Sequence, residues 1–222
     1  MSANRGSLWY RFVRWSVRHV FLPSLGKFTL RNDAVVPDEG AIIVAPVHFS
    51  TLDPPVVAAA LPRRSLTVMA KEDLFKNPLQ SRINRSLGAF PVQRGAGDLG
   101  AIKLALSLLD QGRCVMLFPE GTRGDGITLG ALQDGIALIA KRSKAKVYPL
   151  GMNGTQKALP RGRKWPRRAD VTLVWGNPID FEAVTEGLTG KAAAAKFNEV
   201  LEAELIRATA ECGLVLKSAP KS

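Results

Sequence analysis

Cysteine is scarce: Cys114 and Cys212 are the only two in 222 residues, which excludes a disulfide scaffold. No cysteine or histidine pair has the spacing of a zinc site, so no metal is expected. Cys114 lies in the apolar run Cys114-Val115-Met116-Leu117-Phe118 and reads as a small buried hydrophobe rather than a redox group. A membrane-spanning run is also missing. The most apolar window, Gly40 to Pro62, is broken by Pro46, Pro54 and Pro55 and would leave His48, Ser50 and Asp53 unpaired in lipid. The N-terminus lacks the form of a signal peptide, because Arg11, Arg14 and Arg18 interrupt its apolar residues and no small-residue cleavage site follows. A cytoplasmic protein of one domain is the resulting expectation. With 46% hydrophobic and 23% charged residues the chain fits neither a disordered nor a collagen-like class.

Acidic residues are absent from two stretches. Met1 to Arg31 holds six basic residues and no acid, and Lys141 to Arg168 holds ten and no acid. The rest of the chain carries 15 basic against 19 acidic residues, so the net charge of +12 is local and implies a polyanionic partner. Nucleic acid, an anionic membrane surface and a phosphorylated substrate all satisfy that requirement. On a helix from Leu8 to Leu22, Arg11, Arg14 and Arg18 fall within an arc of about 60°, with Trp9, Phe12, Val13, Val17 and Val20 opposite. A cationic face backed by aromatic residues is the pattern of a helix lying in a membrane interface, its arginines toward anionic headgroups.

Beyond this helix, short β-rich runs alternate with helical ones, which predicts an α/β domain with a mostly parallel sheet of roughly seven strands. The strands expected are Phe28 to Leu30, Ala41 to Val47, Ser65 to Ala70, Ala89 to Gln93, Cys114 to Phe118, Lys146 to Leu150 and Val171 to Trp175. Several are apolar throughout, as strands covered on both faces are. Helices are expected over Pro54 to Leu61, as a broken pair between Asp73 and Leu87, and over Leu99 to Gln111, Leu129 to Arg142 and Lys191 to Glu211.

Three clusters fall at the carboxyl ends of these strands, where ligands gather in open α/β sheets. The first is His48-Phe49-Ser50-Thr51-Leu52-Asp53. Across a strand-to-helix loop Asp53 can orient the His48 ring and stabilise its imidazolium, leaving the other ring nitrogen to take a proton from a hydroxyl. Asp53 before Pro54 and Pro55 equally fits a helix N-cap. The only other histidine, His19, sits among arginines. The second cluster is Gly88 to Arg94, and the third is Phe118-Pro119-Glu120-Gly121-Thr122-Arg123. Singly, Arg94 and Arg123 fit solvated surface charges; at one crevice they fit a phosphate.

In this order, from about Gly40 to Pro160, the clusters resemble the glycerophospholipid acyltransferases typified by 1-acyl-glycerol-3-phosphate acyltransferase. His48 to Asp53 matches the family's His-four-residues-Asp motif, Ala70 to Phe75 with Gly88 to Arg94 its second block, Phe118 to Arg123 its third, and Val147 to Leu150 with Gly154, Thr155 and Pro160 its fourth. Val47 departs from the family, which often carries Asn there. The resemblance implies that His48 is the general base, oriented by Asp53, and that the acceptor hydroxyl attacks an acyl thioester directly without a Ser or Cys nucleophile or a cofactor. It further implies that Arg94, Glu120, Gly121, Thr122 and Arg123, with Lys71, bind the headgroup, and that Pro149 belongs to the acyl-donor site. Residues 1–31 become a membrane-docking segment and residues 32–222 the acyltransferase domain, peripheral on the inner face of the cell membrane.

The expected reaction forms phosphatidic acid from 1-acyl-glycerol-3-phosphate, a lysophospholipid acceptor, and acyl-CoA or acyl carrier protein as donor. Glycerol-3-phosphate, a lyso-ornithine lipid or another lysophospholipid as acceptor is the rival within the enzyme class. A nucleic-acid-binding protein rests on charge alone, with no accompanying signature, and is set aside. A catalytically silent membrane-surface module is the third class. The basic run Arg161 to Arg168 lies beyond the matched motifs and fits headgroups, coenzyme A phosphates or an acidic acyl carrier protein alike.

Overall fold

Ile42–Pro46 (β2) is apolar at every position, and in the computed structural model all five residues are buried. The structure describes residues 6–61, 63–92 and 99–219. Six further strands join β2: Phe28–Arg31 (β1), Leu66–Lys71 (β3), Ala89–Val92 (β4), Cys114–Met116 (β5), Lys146–Asn153 (β7) and Val171–Trp175 (β8). Their order is β1-β8-β7-β2-β5-β3-β4. All pairs are parallel except β7 with β8, where Leu150 faces Trp175 and Asn153 faces Thr172. The expected seven-stranded, mostly parallel sheet is therefore present. β1, which the sequence division assigns to the N-terminal segment, is an edge strand of this sheet.

The helices form two groups. Leu8–Ser16 (α1) continues through a π-helical turn, Val17–Phe21, into Leu22–Leu25 (α2), and this unit packs on Asp53–Ala59 (α3). In the other group, Leu99–Asp110 (α5) packs on Asp134–Ser143 (α6), which packs on the long Gly190–Glu211 (α9). Pro78–Ser86 (α4), Thr155–Ala158 (α7) and Phe181–Val184 (α8) are short connectors. One continuous apolar core runs through the sheet, with Trp175, Phe197, Leu201 and Leu205 almost fully enclosed. No helix of the described residues is long and apolar enough to cross a membrane.

Three expectations are corrected. The helix expected from Leu129 begins at Asp134, because Thr128–Leu129 (β6) pairs instead with Lys217–Ser218 (β9), and Leu129 is completely buried. The strand expected to reach Phe118 stops at Met116. The strand Ala89 to Gln93 is confirmed to Val92, and Gln93 lies outside the described residues.

The third concerns the N-terminal helix, whose arginines do not all face outward. Arg14 donates to the carbonyls of Leu61 and Arg64, each at 3.0 Å, and Arg18 to that of Ala59 at 2.8 Å. These cations sit at the carboxyl end of α3, where unsatisfied carbonyls concentrate negative potential. Tyr10 is buried beside them and its hydroxyl accepts from the amide of Leu66 at 2.8 Å. The outward face carries Leu8, Trp9, Phe12, Trp15 and Val20, all more than half exposed, together with the exposed Arg11 and His19.

Close approach of α9 to β7 depends on Gly151. A Cβ there would lie 2.3 Å from the Ala208 carbonyl carbon and 2.4 Å from the Thr209 amide nitrogen, both backbone atoms that cannot turn aside. Gly151→Ala is expected to destabilise the fold by about 2 kcal/mol or more through overpacking, measured by urea unfolding.

Candidate active site

β2 ends at Pro46, and the chain then turns through residues 47–52 before Asp53 opens α3. Val47 still belongs to the core: its side chain is buried and its N–H donates to the Leu150 carbonyl at 3.1 Å. From His48 onward the backbone curls around a single carboxylate oxygen. Asp53 Oδ2 accepts from the Phe49 N–H at 2.7 Å, the Ser50 N–H at 2.8 Å and His48 Nδ1 at 2.8 Å. Asp53 is fully buried and its Oδ1 has no partner among the described residues, so these donors compensate the whole carboxylate charge. The position at the start of α3 adds a favourable dipole interaction. The N-cap alternative is thereby excluded, because the side chain turns back into the loop rather than onto the amides of its own helix.

An ionised carboxylate only accepts, so the proton between the two groups sits on His48 Nδ1 and leaves Nε2 with its lone pair free. Nε2 makes no hydrogen bond among the described residues, and the side chain is 14% exposed, enough for a substrate hydroxyl to reach it. The ring is fixed from one side by Phe118, stacked with centroids 3.6 Å apart and planes 18° from parallel. Sequence reasoning took Phe118 for the end of a strand; only its position after β5, which lies beside β2, brings it under the imidazole.

Glu120 is 6% exposed and braces the same loop. Its Oε1 accepts from the His48 N–H at 3.2 Å and its Oε2 from the Gly130 N–H at 2.9 Å, while the His48 carbonyl takes the Gly124 N–H at 2.7 Å. Burial pushes the Glu120 carboxyl above its ordinary range, against the opposing pull of those two amides. Glu120 thus has a structural role beside the headgroup role expected of it, since each of its oxygens accepts from backbone. Gly121 turns the chain with φ of +66°, a conformation open to glycine at little cost. Thr122 is exposed and Arg123 half-buried. Arg123 makes no ion pair among the described residues, and its carbonyl is held by the Arg161 guanidinium, a contact no motif announced.

The remaining expected site residues are less uniform. Lys71 ends β3, paired in register with Val92, which directs the chain toward the same end of the sheet. The Lys71 side chain and the whole of Arg94 lie outside the described residues. Pro149 is buried within β7 beside Ala45, and its carbonyl takes the Gly176 N–H, so it packs the sheet. Ser50 Oγ donates to the Leu159 carbonyl at 2.9 Å and accepts from the Leu52 N–H, which ties the loop to the segment after α7. It is no nucleophile for His48. Burial pushes both thiols, Cys114 and Cys212, up to about 12, which keeps them protonated at neutral pH.

Two cavities adjoin these residues. One of about 300 Å³ lies between the N-terminal helix and α3, lined by Val13, Val17, Pro54, Ala58, Leu66 and Val68. The other, of about 410 Å³, lies beneath the loop after β5, lined by Ile102, Met116, Phe118, Gln133, Ile136 and Ile139. Both are mostly apolar.

Glu120→Gln keeps one acceptor and turns an amide N–H₂ toward the second backbone N–H. A loss of about 2 kcal/mol in stability is expected from the unsatisfied donor, read by thermal unfolding. Unchanged stability would show that the brace is unimportant.

Comparison with known proteins agrees with this geometry. The Acyltransferase family model matches residues 27–153. The chain is 32% identical over 182 residues to a 1-acyl-sn-glycerol-3-phosphate acyltransferase of Streptococcus pneumoniae, covering 80% of this chain and 65% of that protein. It is 26% identical over 192 residues to the protein of the same name from Bacillus subtilis, covering 86% of this chain and 92% of that one. In fold it resembles the crystal structure of the 1-acyl-sn-glycerophosphate acyltransferase of Thermotoga maritima, with a TM-score of 0.76 and 22% identity over 92% of this chain and 79% of that one. The match spans more than half of the sequence and contains both the His48–Asp53 pair and the loop carrying Arg123, and the chain belongs to the Acyltransferase family.

Proposed function

We propose that this protein transfers a fatty acyl group from a thioester to the free hydroxyl of 1-acyl-glycerol-3-phosphate, giving phosphatidic acid. The observation that supports this most is the His48–Asp53 pair, with Nδ1 held at 2.8 Å, Nε2 unengaged and no serine or cysteine nucleophile joined to it among the described residues. In the reaction, Nε2 takes the acceptor hydroxyl proton as the oxygen attacks the thioester carbonyl. A carbon–oxygen bond forms, the carbon–sulfur bond breaks, and the imidazolium returns its proton to the departing thiolate. Asp53 stabilises the cation while it lasts.

Arg123, in the loop braced by Glu120, is assigned to the acceptor phosphate, with Arg94 and Lys71 completing that role in the proposal. The apolar cavity beside α3 suits a fatty-acyl chain. No cofactor or metal enters the scheme. Coenzyme A and acyl carrier protein thioesters both satisfy its chemistry, and the assay includes each.

The outward aromatic face of the N-terminal helix places the protein on a lipid surface in this proposal, peripheral on the inner face of the cell membrane. Leu8, Trp9, Phe12 and Trp15 enter the interface while Arg14 and Arg18 hold the helix to α3. No nucleic-acid-binding signature accompanies the basic charge, which this reading assigns to lipid.

With purified protein, vesicles and oleoyl-CoA or oleoyl acyl carrier protein, thiol release is expected to require 1-acyl-glycerol-3-phosphate. His48→Ala is expected to lower kcat about a hundredfold or more without altering the unfolding midpoint. Retention of most of the activity would remove His48 as the base. Arg123→Ala is expected to raise KM for the phosphorylated acceptor about tenfold with a smaller change in kcat. An unchanged KM would take Arg123 out of the phosphate site.

A further inference from the structure

The basic segment after α7 is not used by the chemistry above, yet it is a built feature. Arg167 closes its neck: the backbone N–H donates to the Ala158 carbonyl at 2.8 Å and the side-chain Nε to the Lys157 carbonyl at 2.8 Å. A turn follows Pro160, with the Arg163 N–H on the Pro160 carbonyl at 3.2 Å. Arg161, Gly162, Arg163, Lys164 and Trp165 then stand in solvent, and Trp165 at the tip is 80% exposed. A solvated loop has no need of an indole, and no acid from Lys141 to Arg168 neutralises its charge.

Its position is equally specific. On one side the segment is tied to the active site, through the Leu159 carbonyl to Ser50 and through Arg161 to the Arg123 carbonyl. On the other it is tied to the end of the N-terminal helical unit: the Ala169 N–H donates to the Leu25 carbonyl at 3.0 Å and the Lys27 N–H to Asp170 Oδ1 at 2.7 Å. The loop therefore adjoins both the mouth of the site and the element with the outward aromatic face.

We propose that residues 161–168 form a second membrane anchor, seated on anionic phospholipid headgroups with Trp165 in the interface. Opposite charge supplies the attraction, and an indole flanked by cations is the composition favoured at a headgroup boundary. Together with the N-terminal helix the loop gives two-point contact, which orients the His48 mouth toward the bilayer rather than merely tethering it nearby. This inference rests on the reading of the protein as an enzyme of lipid acceptors.

The test uses the full chain and sedimentation with vesicles of pure phosphatidylglycerol and of pure phosphatidylcholine. The triple variant Arg163→Gln, Lys164→Gln, Trp165→Ser removes two charges and the indole without touching Arg123, Arg161 or His48. Its affinity for phosphatidylglycerol is expected to fall about thirtyfold, at about fivefold per basic residue near the surface, with little change on phosphatidylcholine. Thiol release from a soluble short-chain donor and acceptor is expected to stay at the wild-type rate. As a second readout, brominated phosphatidylglycerol is expected to quench part of the tryptophan emission, and Trp165→Phe to lose that part. Unchanged affinity and quenching would overturn the proposal. So would unchanged vesicle affinity combined with a raised KM for oleoyl-CoA or oleoyl acyl carrier protein, which would make the loop a donor subsite. Absence of acyl transfer by the wild type would instead remove the functional reading and leave the vesicle result standing.

Discussion

Asp53 Oδ2 is the atom on which the site depends. Three donors converge on it within 2.8 Å, two from the backbone that leaves β2 and one from the histidine at its end. A buried carboxylate is costly without partners and stabilising with charge-assisted ones, so it imposes one conformation on residues 48–53. The same bonds select the tautomer that leaves the Nε2 lone pair free, as the proposed base requires. Positioning and chemistry here have a single cause.

The surrounding structure supplies what that loop cannot. β5 runs beside β2 and brings Phe118 against the imidazole, while Glu120 ties the His48 amide to Gly130. Glu120 braces the loop, and a turn with positive φ at Gly121 separates it from Arg123, the residue assigned to the phosphate in the proposal. Two carboxylates near one histidine thus do different work, one orienting the ring and the other fixing the backbone.

Much of this was legible in the sequence. The apolar strands and the strand-end placement of His48, Glu120 and Arg123 followed from patterning, because strands covered on both faces advertise themselves. Side-chain direction was not legible. Helical periodicity located Arg14 and Arg18 on one face correctly but could not know that the carbonyl end of α3 would lie beneath them, and so it turned them toward lipid. The start of α6 was misplaced for a similar reason: Leu129 continues an apolar pattern, and only its pairing with Ser218, distant in sequence, removes it from the helix. Contacts between residues far apart in the chain, such as Arg161 on the Arg123 carbonyl, leave no local pattern to detect.

Asp53 holds His48 as the Nδ1–H tautomer, and nitrogen NMR of protein labelled at the two histidines measures this directly at a pH where the imidazole is neutral. A protonated Nδ1 and a bare Nε2 are expected for His48, with the preference lost in Asp53→Ala. A His48 ring carrying its proton on Nε2 would refute the proposed mechanism, because no lone pair would then face the substrate.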